Sequence, residues 1–286
     1  RAPDLIGPEL ARRVGAPYVI AEASRSPRQA HGPFAGGFAQ AAKAIDSARA
    51  IFAMTANDRS MLDRQRRDSQ SIVDLKPFLD VADWPEAGQS RVPAHAPPRL
   101  LTVAMMRHGD KTSSYRQLAQ AMALLGPRDW RADIVGDGVN RKEIASLFAP
   151  FGSRVTFHGL IEDRAALSRR YQKADVFVWP GVNEAYGMVY LEAQAHGVPC
   201  VAGAYGGVAD VVRHGETGLL VEKDDPGAFA AAVAALLDNE SRRQCMSEAA
   251  ARFVRRERAI ESAAEIVRSA LQASAVMPQA ASAQNA

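Results

Sequence analysis

Two glutamates eight positions apart, Glu184 and Glu192, bracket Gly187 within the segment 179–212. The apolar run from Asp175 to Gly181 closes on Pro180 and Gly181, which reads as a buried strand ending in a loop. Met188, Leu191 and Ala195 then recur at helical spacing, and Gly197 followed by Pro199 is a stop. Glu184 therefore falls in a loop and Glu192 inside a helix. A helix whose first turn is Gly187, Met188 and Val189 presents unpaired backbone N–H groups and a positive dipole end, and the missing side chain at Gly187 lets an anion approach. That is a seat for phosphate. Glu192, roughly one turn further in, is placed to accept hydrogen bonds from the hydroxyls of a ribose, while Glu184 faces whatever lies beyond the phosphates.

A second group of residues offers the complementary charge. Arg99–Met105 reads as the first strand of a domain, and the loop 106–111 leads to a helix expected over Ser114–Leu125. A doubly wound sheet binds ligands at the carboxyl end of its strands, so Arg107 and Lys111 in this loop are placed to neutralise a diphosphate. The strand Arg131–Val135 ends in Gly136-Asp137-Gly138. Without a third glycine in register or an acidic residue closing the next strand, this turn does not support a nicotinamide fingerprint.

The block Glu184-Ala-Tyr-Gly-Met-Val-Tyr-Leu-Glu192 resembles the Glu-x7-Glu signature of retaining GT-B glycosyltransferases, family 4 in particular. Its surroundings fit the same pattern: Ala174–Pro180 before it, Leu191–Ala193 within it, then Gly206–Val208 and Glu216–Val221 in order. The resemblance implies two Rossmann-like, doubly wound parallel-sheet domains and transfer of a sugar from a nucleotide-diphosphate sugar to an acceptor hydroxyl on a carbohydrate or lipid-linked acceptor. It implies that Glu184 contacts the donor sugar, Glu192 the ribose, and Lys111 the phosphates. Arg107 stands one residue from the family's arginine, whose strict register falls on Met106. Gly136 and Asp137 match a V-G-D-G turn lining the nucleotide cleft, with Val139 where the family has proline. Gly159, Leu160 and Ile161, within Val155–Ile161, match the segment on which the base rests. His158 receives no role.

Composition bounds the remaining possibilities. With 286 residues, 47% of them hydrophobic, the chain is expected to form two domains. A net charge of +3 from 35 basic and 32 acidic residues does not indicate a nucleic-acid partner. The sequence pI near 9.0 permits contact with anionic surfaces, so a peripheral membrane contact at the inner face joins the expectations. Cys200 and Cys245 lack metal or redox spacing and read as buried thiols of a cytoplasmic protein. No two aspartates stand two apart, so the D-x-D manganese motif is missing; no cofactor and no metal is expected. Lys111, Arg107 and the Glu192 helix must then stabilise the departing diphosphate.

Residues 1–95 read as the remainder of an acceptor-side domain. Strands are expected at Ala16–Glu22, Ala50–Thr55 and Ser71–Leu75, and helices at Phe38–Arg49 and Asp58–Arg67. By the resemblance, the opening strands of that domain are missing. Glu22, Ser24, Arg25 and Arg28 are read chiefly as solvated charge, as are Arg64, Arg66 and Arg67. The prolines and glycine between Trp84 and Pro98 mark a linker. The nucleotide-sugar domain is expected over 96–257, with a helix over 164–173, strands at 199–203 and 217–222, a glycine-rich turn opening a helix to His214, and helices over 226–237 and 241–254. A helix is expected at 258–273, which the resemblance implies crosses back, followed by a disordered tail over 274–286. Two alternatives stand beside transfer: a non-catalytic nucleotide-sugar-binding fragment, and a sugar-nucleotide epimerase of the same fold.

Overall fold

A computed structural model describes residues 4–23, 35–84 and 97–276. They fall into two compact units, one formed by Arg1–Lys76 with Glu261–Ala286 and the other by Pro77–Ile260. Ser24, Arg25, Arg28, linker residues 85–96 and tail residues 277–286 lie outside the described residues.

The first unit opens with helix α1 (Gly7–Val14), which the sequence reading lacked. Asp4 creates its start, accepting from the N–H groups of Ile6 and Gly7 at 3.1 and 2.8 Å and from the Tyr18 hydroxyl at 2.8 Å. The sheet follows the expected alternation: β1 (Val19–Ala21), α2 (Ala35–Ser47), β2 (Ala50–Ala53), α3 (Ala56–Asp63) and β3 (Ser71–Asp74). All three strands are parallel, in the order β1-β2-β3. Because β2 is central, all four of its residues are buried, and Ile51 and Ala53 share a core with Ile45, Leu62 and Ile72. Thr55 caps α3 by accepting from the Asp58 N–H at 3.1 Å.

The second unit contains β4 (Arg99–Val103), α4 (Asp110–Ala123), β5 (Arg131–Val135), α5 (Arg141–Phe148), β6 (Val155–Gly159), α6 (Arg164–Gln172), β7 (Val176–Trp179), α7 (Met188–Ala195), β8 (Cys200–Gly203), β9 (Gly218–Val221), α8 (Pro226–Leu237) and α9 (Glu240–Glu257). Its six strands are parallel in the order β6-β5-β4-β7-β8-β9. Strand order reverses between β4 and β7, and the carboxyl ends of the strands at such a reversal are where a doubly wound sheet binds ligands. Every residue of β7 and β8 is buried, as their uninterrupted apolar runs require of strands covered on both faces.

Four local expectations change. Helix α4 starts at Asp110, four residues before the expected Ser114, because Gly109 turns at φ 76° and Asp110 supplies an acidic first turn. The helix expected to run to His214 is only a 3-10 turn over Val208–Asp210. Cys200 is buried, but Cys245 is exposed, since α9 turns Arg243, Met246, Ser247 and Ala250 inward. Helix α10 (Ile260–Val276) runs past the expected end at 273 and takes in residues 274–276, expected in the tail. Among the described residues no helix is long and apolar enough to cross a membrane.

Candidate active site

At the strand-order reversal, the segments that follow β4 and β7 come together. On one side, Lys111 lies in the first turn of α4, on the same helical face as Ser114 and Tyr115. Opposite, the turn after β7 carries Glu184. Lys111 Nζ donates to Glu184 Oε2 at 2.6 Å, with about a fifth of each side chain exposed (24% and 19%). Two further bonds tie the walls together. The Ser114 hydroxyl accepts from the Val182 N–H at 2.9 Å, and Asn183 Nδ2 donates to Asp110 Oδ1 at 3.0 Å.

Trp179, the last residue of β7, forms the floor. Its ring lies 5.5 Å from Lys111 Nζ, and Nε1 donates weakly to Glu184 Oε2 at 3.5 Å. Tyr115 packs edge-on against that ring at 4.9 Å, and the Tyr190 hydroxyl donates to the Trp179 carbonyl at 2.9 Å. Sequence reasoning missed Trp179; its signal was a large amphipathic ring at the carboxyl end of a central strand.

Gly187 precedes α7 in the left-handed region, at φ 74°. A Cβ there would stand 2.7 Å from Tyr190 Cε2 and 3.0 Å from Glu184 Cγ, so the turn itself requires glycine. Gly187 is buried, and Met188 and Val189 are half-buried. Glu192, in the body of α7, stands apart from the Lys111–Glu184 pair. Its Oε2 accepts from the Tyr171 hydroxyl at 2.8 Å. Burial raises the Glu192 carboxyl above its ordinary value, against the opposing pulls of the Tyr171 hydroxyl and the Arg164 charge.

The remaining sequence candidates line the same edge of the sheet. A Cβ on Gly136 would sit 1.9 Å from the Ala104 carbonyl oxygen, and one on Gly138 would sit 2.4 Å from that of Met106. The turn after β5 therefore lies directly on the segment after β4. The Met106 N–H donates to the Asp137 carbonyl at 2.9 Å, and Gly136 N–H donates to Gly159 O at 2.8 Å. The Asp137 carboxylate accepts from Gly138 N–H at 2.7 Å and from Arg141 at 2.8 Å, and both lower its pKa. Leu160 is 64% exposed and Ile161 half-buried, at the mouth of this edge.

Arg107 is exposed, with its carbonyl accepting from Thr112 Oγ1 at 2.8 Å. Met106, in the strict register, is wholly buried. Among the described residues no cluster of three or more His, Cys, Asp or Glu side chains has the geometry of a metal site.

Comparison with known proteins agrees with this architecture. Solved structures with the same fold include a sucrose-phosphate synthase from Thermosynechococcus elongatus, with a TM-score of 0.73 and 23% identity over 93% of this chain and 70% of that one. Anabaena HepE in complex with UDP gives a TM-score of 0.76 and 17% identity, over 93% of this chain and 75% of that one. The GT-B fold expected from the sequence is the fold observed. In sequence, a D-inositol 3-phosphate glycosyltransferase from Geodermatophilus obscurus is 49% identical over 86 residues, 30% of this chain. Its counterpart from Corynebacterium urealyticum is 47% identical over 78 residues, 27% of this chain. The chain covers only 18% of the length of each of these two relatives. The profile of the glycosyl transferases group 1 family matches residues 97–239, from the start of β4 through the end of α8, and the chain belongs to that family.

Proposed function

We propose that the chain binds a nucleotide-diphosphate sugar at the carboxyl edge of its six-stranded sheet and transfers the sugar, with retention of configuration, to an acceptor hydroxyl of a glycan or lipid. The observation that carries this reading is the Lys111–Glu184 pair at the strand-order reversal, beside the N-terminus of α7. A diphosphate entering there meets the Lys111 ammonium, the exposed Arg107 and the first N–H groups of α7, all fixed before any bond breaks. Charge that develops on the departing phosphate oxygen is then met without reorganisation. Freed from Lys111, the Glu184 carboxylate faces the positive charge that develops on the sugar as the glycosidic bond lengthens. Glu192 accepts from the ribose, and the exposed edge at Gly159, Leu160 and Ile161 receives the base.

The homologue names support glycosyl transfer, and the UDP-bound neighbour supports a nucleotide-linked donor. No metal enters the proposed chemistry, because cations and helix N–H groups supply the countercharge. The cysteine usage favours a cytoplasmic setting, and the basic pI favours peripheral contact with an anionic inner membrane face.

Calorimetry with UDP, GDP and ADP, followed by sugar-transfer and donor-hydrolysis assays, tests the reading. Binding of one nucleotide together with anomeric retention in the product is the expected result. Binding without transfer or hydrolysis favours a nucleotide-sugar-binding fragment, and no binding by any of them refutes the site.

A further inference from the structure

Behind Glu192 lies a set of side chains to which the reading above assigns no task. Tyr171, on the inner face of α6, is wholly buried, and its hydroxyl donates to Glu192 Oε2 at 2.8 Å. Among the described residues Oε1 has no protein partner, so the bond holds one carboxylate oxygen and leaves the other for a ligand. The Tyr171 ring is itself clamped. His196 stacks on it with centroids 5.1 Å apart and planes 17° from parallel, and Trp84 meets both rings edge-on at 5.8 and 5.6 Å.

His196 is fixed from two directions. Its Nδ1 donates to the Glu192 carbonyl at 2.7 Å, and its Nε2 lies 3.0 Å from the buried Ser168 hydroxyl. The same histidine thus grips the backbone of the glutamate whose side chain its stacking partner holds.

We propose that Tyr171, clamped by His196, is a positioning residue that aims the Glu192 carboxylate at the ribose of the nucleotide. The inference rests on the ribose reading of Glu192, and the test separates the two. A carboxylate held by a buried hydroxyl loses rotamer freedom before the ligand arrives, and less ordering is then required on binding. The charged groups acting on this carboxyl are few. Tyr171 and Arg164 come from α6, with Arg164 held by Asp83 at 3.0 Å over the Trp84 ring, while His196 bonds the Glu192 backbone carbonyl. Both Tyr171 and Arg164 favour the ionised form that accepts hydroxyl protons.

The experiment compares wild type, Tyr171→Phe and Glu192→Ala by calorimetry with UDP, GDP and ADP, with the matching 2′-deoxynucleotide and with inorganic pyrophosphate, over a pH series. Tyr171→Phe keeps the ring and its stacking. It should weaken the ribonucleotide roughly tenfold, leave pyrophosphate unchanged and narrow the preference over the deoxynucleotide. The acid limb of ribonucleotide binding should also move to higher pH, because the lost hydroxyl no longer favours the carboxylate. If Glu192→Ala weakens the ribonucleotide while Tyr171→Phe matches wild type in affinity and pH profile, the positioning role is overturned and the ribose reading stands. Should Glu192→Ala bind as wild type, the ribose reading itself fails and this inference falls with it. If Tyr171→Phe does not fold, His196→Asn replaces it and must give the same ribose-selective loss, since it removes the ring that clamps Tyr171; an unselective loss or none overturns the proposal.

Discussion

Lys111 and Glu184, seventy-three positions apart in sequence, meet at 2.6 Å across the point where strand order reverses. Each of the two groups proposed to contact opposite ends of a sugar phosphate neutralises the other. In the proposed reaction, a donor inserting between them would exchange this ion pair for a pair of ligand contacts.

Replacing Lys111 by Met removes the ion pair and, in the proposed reaction, the phosphate contact. Transfer from the cognate donor should fall about 100-fold or more, by analogy with the loss of a preorganised donor to a developing anion. A double-mutant cycle with Glu184→Gln in chemical denaturation should return a coupling of about 1 kcal/mol, because the pair remains partly open to solvent. A coupling near zero would show that the pair adds nothing to the stability of the fold.

The raised pKa of Glu192 carries a stability consequence. Burial holds its folded value above the ordinary 4.5, so the folded chain favours the protonated carboxyl. Stability from this group is greatest below the unfolded value and declines as pH rises through the folded one. Glu192→Gln lacks that decline. Its melting temperature should equal or exceed that of wild type at about pH 8 and lose the advantage near pH 4, while nucleotide affinity drops. A variant less stable than wild type at the higher pH would contradict this account.

Gly136→Ala should destabilise the second unit by about 3 kcal/mol, since the turn sits at φ 139° and the added Cβ would meet the Ala104 carbonyl at 1.9 Å. Gly126→Ala is the control. Its φ is 65°, but nothing lies within 4 Å of the new Cβ, so only the backbone strain of about 1 kcal/mol applies. Urea unfolding of the two variants distinguishes these cases.

Chelation offers a further check. Transfer should survive dialysis against EDTA without loss of rate, because Lys111, Arg107 and the α7 N–H groups supply the countercharge in the proposed reaction. Activity lost on chelation and restored by manganese or magnesium would sink this part of the mechanism.

Much of this arrangement was legible in the sequence, and the exceptions have physical causes. Strands such as Ala50–Ala53 and Val176–Trp179 announce themselves because a parallel strand covered on both faces needs an unbroken apolar run. Helix α8 begins and ends where Pro226 and Leu237 foretold, with Asp225 capping it through the Ala228 N–H at 2.8 Å. Helix α1 was hidden because its apolar residues Leu10 and Val14, and Ile6 just before it, are exposed, so its pattern signals no core. The start of α4 was misplaced because polar residues 110–113 carry no apolar period. The contact between Tyr171 and Glu192 joins two helices, and sequence spacing alone cannot show such a meeting.

The glycine turn after β8 has one more effect. Gly207 N–H donates to the Ala185 carbonyl at 2.5 Å, and a Cβ on Gly206 would stand 2.2 Å from the carbonyl oxygen of Glu184. The loop that carries Glu184 and the neighbouring turn are therefore in direct backbone contact. A side chain introduced at position 206 is expected to displace the Glu184 loop as well as its own turn, so a change made after β8 must be judged by its effect on that carboxylate.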